Sequence, residues 1–220
     1  MKFFSFWRSQ ASFRVRIALN LKSLPADVVF VDLDADAHHA EAFRKVNPQM
    51  ALPALVWEDG TTLFQSLAIL EYLEETHPAP PLLPADPRDR ARVRGLALIV
   101  ACEGHPMLVP RVRRYLDHEL NLRDTQQAAW RRHWTTETLA GLEGHLAGHK
   151  DTGRFCHGDT SGFADICLVG HASVAVMQQI DLAPWPTVKR IFETSMALPE
   201  FSSAHPLVQP DTPEAMRVKK

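Results

Sequence analysis

Between His77 and Arg88 the chain reads HPAPPLLPADPR, and its five prolines constrain the fold more than any other feature. Proline has no N–H to donate and a fixed φ, so neither a helix interior nor a central strand can pass through this stretch. The 220 residues therefore divide into a unit over 1–78, a linker over 79–87 and a second unit over 88–220. Upstream of the linker, short β-type runs alternate with helical ones. Strands are predicted at Lys2–Phe6, Asp27–Val31, Ala54–Trp57 and Thr62–Phe64, the last two joined by a turn at Asp59-Gly60. Helices are predicted at Ser12–Leu21, His38–Lys45 and Ser66–Thr76. The order β-α-β-α-β-β-α specifies a small mixed α/β sheet unit. Downstream, the spacing is helical throughout, as in Arg88–Cys102 and in Trp130, Trp134, Leu142 and Leu146. Ala164–Val176 is apolar nearly all round, which suits a helix surrounded by other helices. The fold class expected is an α/β unit followed by an all-α unit, with the last ten residues frayed.

Charge narrows the partners. Lys and Arg number 24 against 26 Asp and Glu, a formal charge of −2, so nothing draws the chain to nucleic acid or to an anionic membrane surface. Small neutral partners fit better. Arg8, Arg14 and Arg16 interrupt the region where a secretory signal needs a continuous apolar run, and no stretch approaches the roughly 18 apolar residues of a membrane span. Cys102, Cys156 and Cys167 are odd in number and lack paired metal-type spacing, which suits reduced thiols in a cytoplasm.

Three junctions carry chemistry. Trp7-Arg8-Ser9-Gln10-Ala11-Ser12 lies between a strand and a helix, where unpaired N–H groups and the helix dipole favour an anion such as a thiolate. Ser9 offers a hydroxyl there, although Ser9 or Ser12 also suits a plain helix N-cap. Pro53 stands at the entrance to an apolar strand. A cis Leu52-Pro53 bond would leave the Leu52 backbone free to pair with an extended peptide; a trans bond would mark an edge strand. Gln65-Ser66 opens the next helix, where a carboxylate docked on the hydroxyl and exposed N–H groups competes with a bare N-cap.

Together these junctions resemble the glutathione transferase superfamily. WRSQASFRVRIAL, NPQMALPAL and FQSLAILEYLEE are similar to segments of its zeta class, as are PLLPADPRDRARVR, IVACEGHP, GDTSGFADICL and DLAPWPTVKRI, so the resemblance spans most of the chain. It implies an N-terminal thioredoxin-like domain, an all-helical C-terminal domain, a homodimer, and glutathione as cofactor with no metal. By the same resemblance Ser9 activates the glutathione thiol, with Gln10 and Ala11 beside it. Leu52, ahead of Pro53, pairs with the cysteinyl backbone; Gln65 and Ser66 hold the γ-glutamyl carboxylate; and His38 approaches the glycine end. Arg8, His105 and Arg111 are the residues implied for substrate, and Gly162–Asp165 matches the capping signature of the central helix, with Gly162 in place of the usual Ser or Thr. The activity implied is glutathione-dependent cis-trans isomerisation of a maleyl-type keto acid, or conjugation of an electrophile, with a non-catalytic glutathione-binding scaffold as the remaining alternative.

The departures are specific. Gln10 and Ala11 stand where the class has a second serine and a cysteine; Leu108 and Val109 replace amide side chains; and Val174-Ala175-Val176-Met177-Gln178 lacks the arginine of bacterial maleylpyruvate isomerases. The Ser9–Ser12 segment contains no cysteine, which excludes a glutaredoxin-type mixed disulfide at that position. His145 and His149 have i, i+4 spacing without a third ligand type nearby, Cys102 and Cys167 sit in apolar runs as small hydrophobes, and Arg113 and Arg114 read as a solvated helix face. Trp130 and Trp134 read as packing residues.

Overall fold

The computed structural model describes residues 1–218. Its contacts group Met1–Pro81 with the segment from Ala197 onward, and Leu82–Met196 separately.

The first unit is built on a four-stranded sheet of order β2-β1-β3-β4. β1 (Lys2–Ser5) runs parallel to β2 (Asp27–Phe30) and antiparallel to β3 (Ala54–Val56), which pairs antiparallel with β4 (Thr62–Phe64). The parallel pair needs a crossover, supplied by α1 (Gln10–Leu21); the antiparallel pair needs only the Asp59-Gly60 turn, where Gly60 takes φ 85°. α2 (Glu41–Val46) and α3 (Ser66–Thr76) complete a thioredoxin-like arrangement. The helix expected from His38 divides in two: a 3₁₀ turn over Ala37–His39, then α2 after Ala40, which has extended backbone. Leu55 and Phe3 from the sheet, Phe13 and Ile17 from α1, and Ile69, Leu70 and Leu73 from α3 are all fully buried.

The second unit is helical: α4 (Pro87–Leu98), α5 (Pro110–His118), α6 (Asp124–Leu146), α7 (Phe163–Met177) and α8 (Pro186–Met196). The helix predicted to continue to Cys102 changes at Ile99 into a π-helical turn over Ile99–Gly104, followed by a 3₁₀ turn over His105–Leu108. Pro106 and Pro110 have no N–H for a regular ladder to use, so helical bonding is redistributed there. α7 is buried almost along its whole length, as its composition requires, and Glu143 of α6 caps α8 by accepting the N–H groups of Thr187 and Val188 at 3.0 and 2.8 Å.

Asp165, buried in the first turn of α7, accepts the N–H of Gly162 at 2.9 Å and that of Cys156 at 2.8 Å. Burial pushes its carboxyl up, and these N–H groups pull it back. The glycine at 162 has a reason that spacing does not show. A Cβ there would lie 2.5 Å from the Leu82 carbonyl oxygen, which already accepts the Phe163 N–H at 2.9 Å. Restoring a conventional cap with Gly162→Ser should therefore destabilise the chain by about 1–3 kcal/mol through overpacking, against the gain of a few tenths expected from cap preference alone. Urea unfolding of G162S reads the sign directly.

The segment after Ala197 is the main departure from the expected 88–220 unit. α9 (Pro199–Ser202) packs on α1: Phe201 is fully buried, and Asn20 Nδ2 donates to the Glu200 carbonyl at 2.8 Å. The tail is ordered as far as it is described. Thr212 is buried with Oγ1 donating to the Pro206 carbonyl at 2.6 Å, and Val218 N–H donates to the Leu207 carbonyl at 2.9 Å. The fraying expected of the last ten residues thus does not hold for 211–218, because side-chain and backbone hydrogen bonds pin that segment; the remaining two of those residues, 219 and 220, lie outside the described residues.

Candidate functional site

Strand register brings the three junctions together. Phe4 pairs with Ala54 and Ala54 with Phe64, so the chain leaving β1, the chain entering β3 and the chain leaving β4 lie at one end of the sheet. β2 runs parallel to β1 with Ser5 opposite Phe30, so the loop carrying His38 departs from that end too.

Ser9 is the N-cap of α1. Its Oγ accepts the Ser12 N–H at 3.1 Å, and the residue is half-buried. The cap uses the oxygen as acceptor, so the hydroxyl proton is left to donate, and the capping and thiolate readings coexist. Gln10 and Ala11, at the first turn of α1, are buried. Arg8 is exposed and forms an ion pair with Asp34, while its guanidinium lies 5.6 Å from the Trp7 ring centroid.

The Leu52-Pro53 bond is cis, which settles the alternative that sequence left open. Leu52 is half-buried, and among the described residues its backbone N–H and C=O have no backbone partner. Asn47 shapes the approach by donating to the Ala51 carbonyl at 2.7 Å and accepting the Gln49 N–H at 3.1 Å. Gln65 precedes α3 with φ 67°, a left-handed value uncommon for a residue with a side chain and concentrated at binding sites. Its Nε2 donates to Gln49 Oε1 at 3.0 Å, joining the cis-proline loop to the α3 junction.

Ser66, 4% exposed, accepts a hydrogen bond from Arg14 Nη1 at 2.8 Å. A guanidinium donating into one lone pair orients the hydroxyl proton away from itself and polarises it, which suits donation to an anion. Sequence reading found Ser66 but not Arg14, because α1 and α3 become neighbours only in the folded unit.

His38 is buried in the 3₁₀ turn, its ring 4.0 Å from that of His39. Asp36, His38 and His39 each place one ligand atom within 4.8 Å of the others, a grouping that spacing did not single out, and each already has an interaction of its own. His105 and Arg111 belong to the second unit: His105 opens the 3₁₀ turn after the π-helical segment and is half-buried, and Arg111 is exposed in the first turn of α5. Trp130 and Trp134 meet edge to face, with Trp130 Nε1 donating to the Met107 carbonyl at 2.8 Å.

Residues 8–76 match the family model "Glutathione S-transferase, N-terminal domain". A maleylacetoacetate isomerase of Pseudomonas aeruginosa is 41% identical over 220 residues, 98% of this chain and 100% of the relative. A maleylpyruvate isomerase of Ralstonia is 40% identical over 213 residues, 96% of this chain and 100% of the relative. A solved maleylacetoacetate isomerase from Methylobacterium extorquens AM1, with bound malonate and GSH, superposes with a TM-score of 0.94 at 48% identity, covering 97% of this chain and 100% of that one. A maleylpyruvate isomerase described as a bacterial glutathione S-transferase of the zeta class gives the same TM-score, 0.94, at 40% identity, covering 97% of this chain and 100% of that one. With full-length likeness at this level and with the serine, cis-proline and Gln-Ser junctions gathered at one end of its sheet, the chain belongs to the zeta class of the glutathione transferase superfamily.

Proposed function

We propose that this chain catalyses glutathione-dependent cis-trans isomerisation of a maleyl-type keto acid. The observation that carries the reading is the convergence of the Ser9 hydroxyl, the Leu52 backbone ahead of cis-Pro53 and the Arg14-polarised Ser66 hydroxyl at one end of the sheet. These groups fit glutathione, an extended peptide with a thiol at its centre and carboxylates at both ends. Ser9 takes the thiol, flanked by Gln10 and Ala11; Leu52 takes the cysteinyl backbone; Gln65 and Ser66 take the γ-glutamyl carboxylate; His38 serves the glycine end. When bound, glutathione supplies a thiolate that adds to the carbon–carbon double bond, permits rotation and leaves unchanged.

Ser9 and the first N–H groups of α1 favour the charged thiol, each pKa unit of lowering being worth about 1.4 kcal/mol. Arg8, His105 and Arg111 are the residues we assign to the substrate, Arg8 or Arg111 taking a carboxylate and offsetting negative charge that develops on its oxygens. Because Arg8 is paired with Asp34, an incoming carboxylate competes with Asp34 for it. We also read the protein as a cytoplasmic homodimer. Cys102, Cys156 and Cys167 form no disulfide, which supports a reducing compartment.

The test is direct: maleylacetoacetate and maleylpyruvate are assayed with and without glutathione beside a standard electrophile conjugation. The expected result is isomerisation that disappears without glutathione. Conjugation with neither keto acid isomerised would make the chain a general transferase, and failure to bind immobilised glutathione would leave a scaffold.

A further inference from the structure

The loop that presents Ser9 is gripped from outside by the far end of the chain. Trp7 N–H donates to Asp211 Oδ2 at 2.7 Å across 204 positions of sequence. The Trp7 carbonyl accepts from Arg16 Nη2 at 3.0 Å, and the Phe6 carbonyl from Arg16 Nη1 at 3.3 Å. Both backbone polar groups of Trp7 are thus held by side chains, one from α1 and one from the C-terminal segment. The same guanidinium donates through Nε to the Ala204 carbonyl at 2.9 Å and through Nη1 to Ser5 Oγ at 3.1 Å, so it ties loop, strand and C-terminal segment at once. Within the loop, Ser9 N–H donates to the Phe6 carbonyl at 3.0 Å. A displacement at Phe6 or Trp7 is therefore passed to the backbone that carries the Ser9 hydroxyl.

The charges are placed to make the clasp rigid. Arg16 is 8% exposed, and burial lowers its guanidinium to about 9 while Asp211 pulls it back up, so it remains charged at neutral pH. Asp211 has one oxygen on the Trp7 N–H and its other oxygen buried without a hydrogen-bond partner among the described residues; burial pushes its carboxyl up, the Trp7 N–H and the Arg16 charge pull it back, and Asp32 adds to the upward push. Both groups converge on the tripeptide before Ser9. We infer that Asp211 of the C-terminal segment, acting with Arg16 of α1, is a positioning residue that holds the Phe6–Ser9 loop and so the Ser9 hydroxyl in register for the bound thiol.

This inference rests on Ser9 acting on glutathione, and the experiment separates the two. Wild type, Ser9→Ala, Asp211→Ala and Asp211→Asn are compared for glutathione affinity, thiolate absorbance of the bound cofactor against pH, turnover, and hydrogen exchange of the Trp7 amide. Asp211→Ala should lower turnover about tenfold, the scale set by a sub-ångström misplacement, with glutathione affinity within about threefold of wild type. It should also raise the pH at which bound thiol ionises and speed Trp7 amide exchange. Asp211→Asn keeps an oxygen to accept that N–H, is isosteric, and should recover most of the turnover. Wild-type turnover, thiol ionisation and Trp7 exchange in D211A, with S9A impaired, would overturn the inference and leave the role of Ser9 standing. An S9A variant as active as wild type would overturn the reading of the site itself.

Discussion

Replacing Ser9 with alanine should depress turnover about 10²-fold, the cost of removing one preorganised donor to a developing or bound anion. The hydroxyl has two duties: its oxygen caps α1 by accepting the Ser12 N–H at 3.1 Å, and its proton remains available to the thiolate. Loss of the cap by itself costs about 1 kcal/mol, or a fall of roughly 2–4 °C in melting temperature for a chain of this size. A second variant separates the duties. Asp is as good a cap as Ser, so Ser9→Asp should restore the melting temperature, yet its carboxylate repels a neighbouring thiolate and turnover should stay low. Thiolate absorbance against pH is the third readout, with bound thiol ionising at higher pH in S9A. A variant with wild-type rate and wild-type thiol ionisation would remove Ser9 from the mechanism, whatever its melting temperature.

Arg16→Leu should be the most destabilising of these substitutions, by about 3–5 kcal/mol, because it breaks a buried charged network instead of replacing it as a whole. The side chain makes four hydrogen bonds, to Ser5 Oγ and to the carbonyls of Phe6, Trp7 and Ala204. Leucine leaves three carbonyls without those donors and removes the Arg16 charge that acts on Asp211. Lysine keeps the charge but cannot reproduce the planar fork that spans loop and tail, so Arg16→Lys should recover only part of the loss. Urea unfolding measures both, and R16L within about 1 kcal/mol of wild type would show that the clasp contributes little. His205 offers an independent check. Burial first, and Arg16 second, hold its imidazole down to about 4 from an ordinary 6.5, with its ring 5.8 Å from that of Phe13. Removing the like charge should move its titration upward in R16L, which NMR of the imidazole protons detects.

Local chemistry made much of this molecule legible in its sequence. Thr62–Phe64 and Ser66–Thr76 lie where pattern alone places them, because alternation, a turn glycine and helical spacing act within a few residues. The proline run marks where regular structure stops, since a missing N–H does not depend on the fold. At the first helix local chemistry narrows the cap to Ser9 or Ser12, and the fold uses Ser9. Other features were decided only when distant segments met. The Leu52-Pro53 isomer, open on sequence grounds, is cis, and Gln49 of that loop meets Gln65 across 16 positions of sequence. Gly162 looks like a tolerated cap substitution, yet the Leu82 carbonyl leaves no room for a Cβ. Arg14 and Arg16, two positions apart in one motif, reach Ser66 and the Ser9 loop respectively. The residues from Ala197 onward read as part of the helical unit and instead pack on the sheet unit. Propensity and capping act through neighbours along the chain and so specify the elements. A buried guanidinium or a close carbonyl acts through space, and its partners exist only after the long loops have closed.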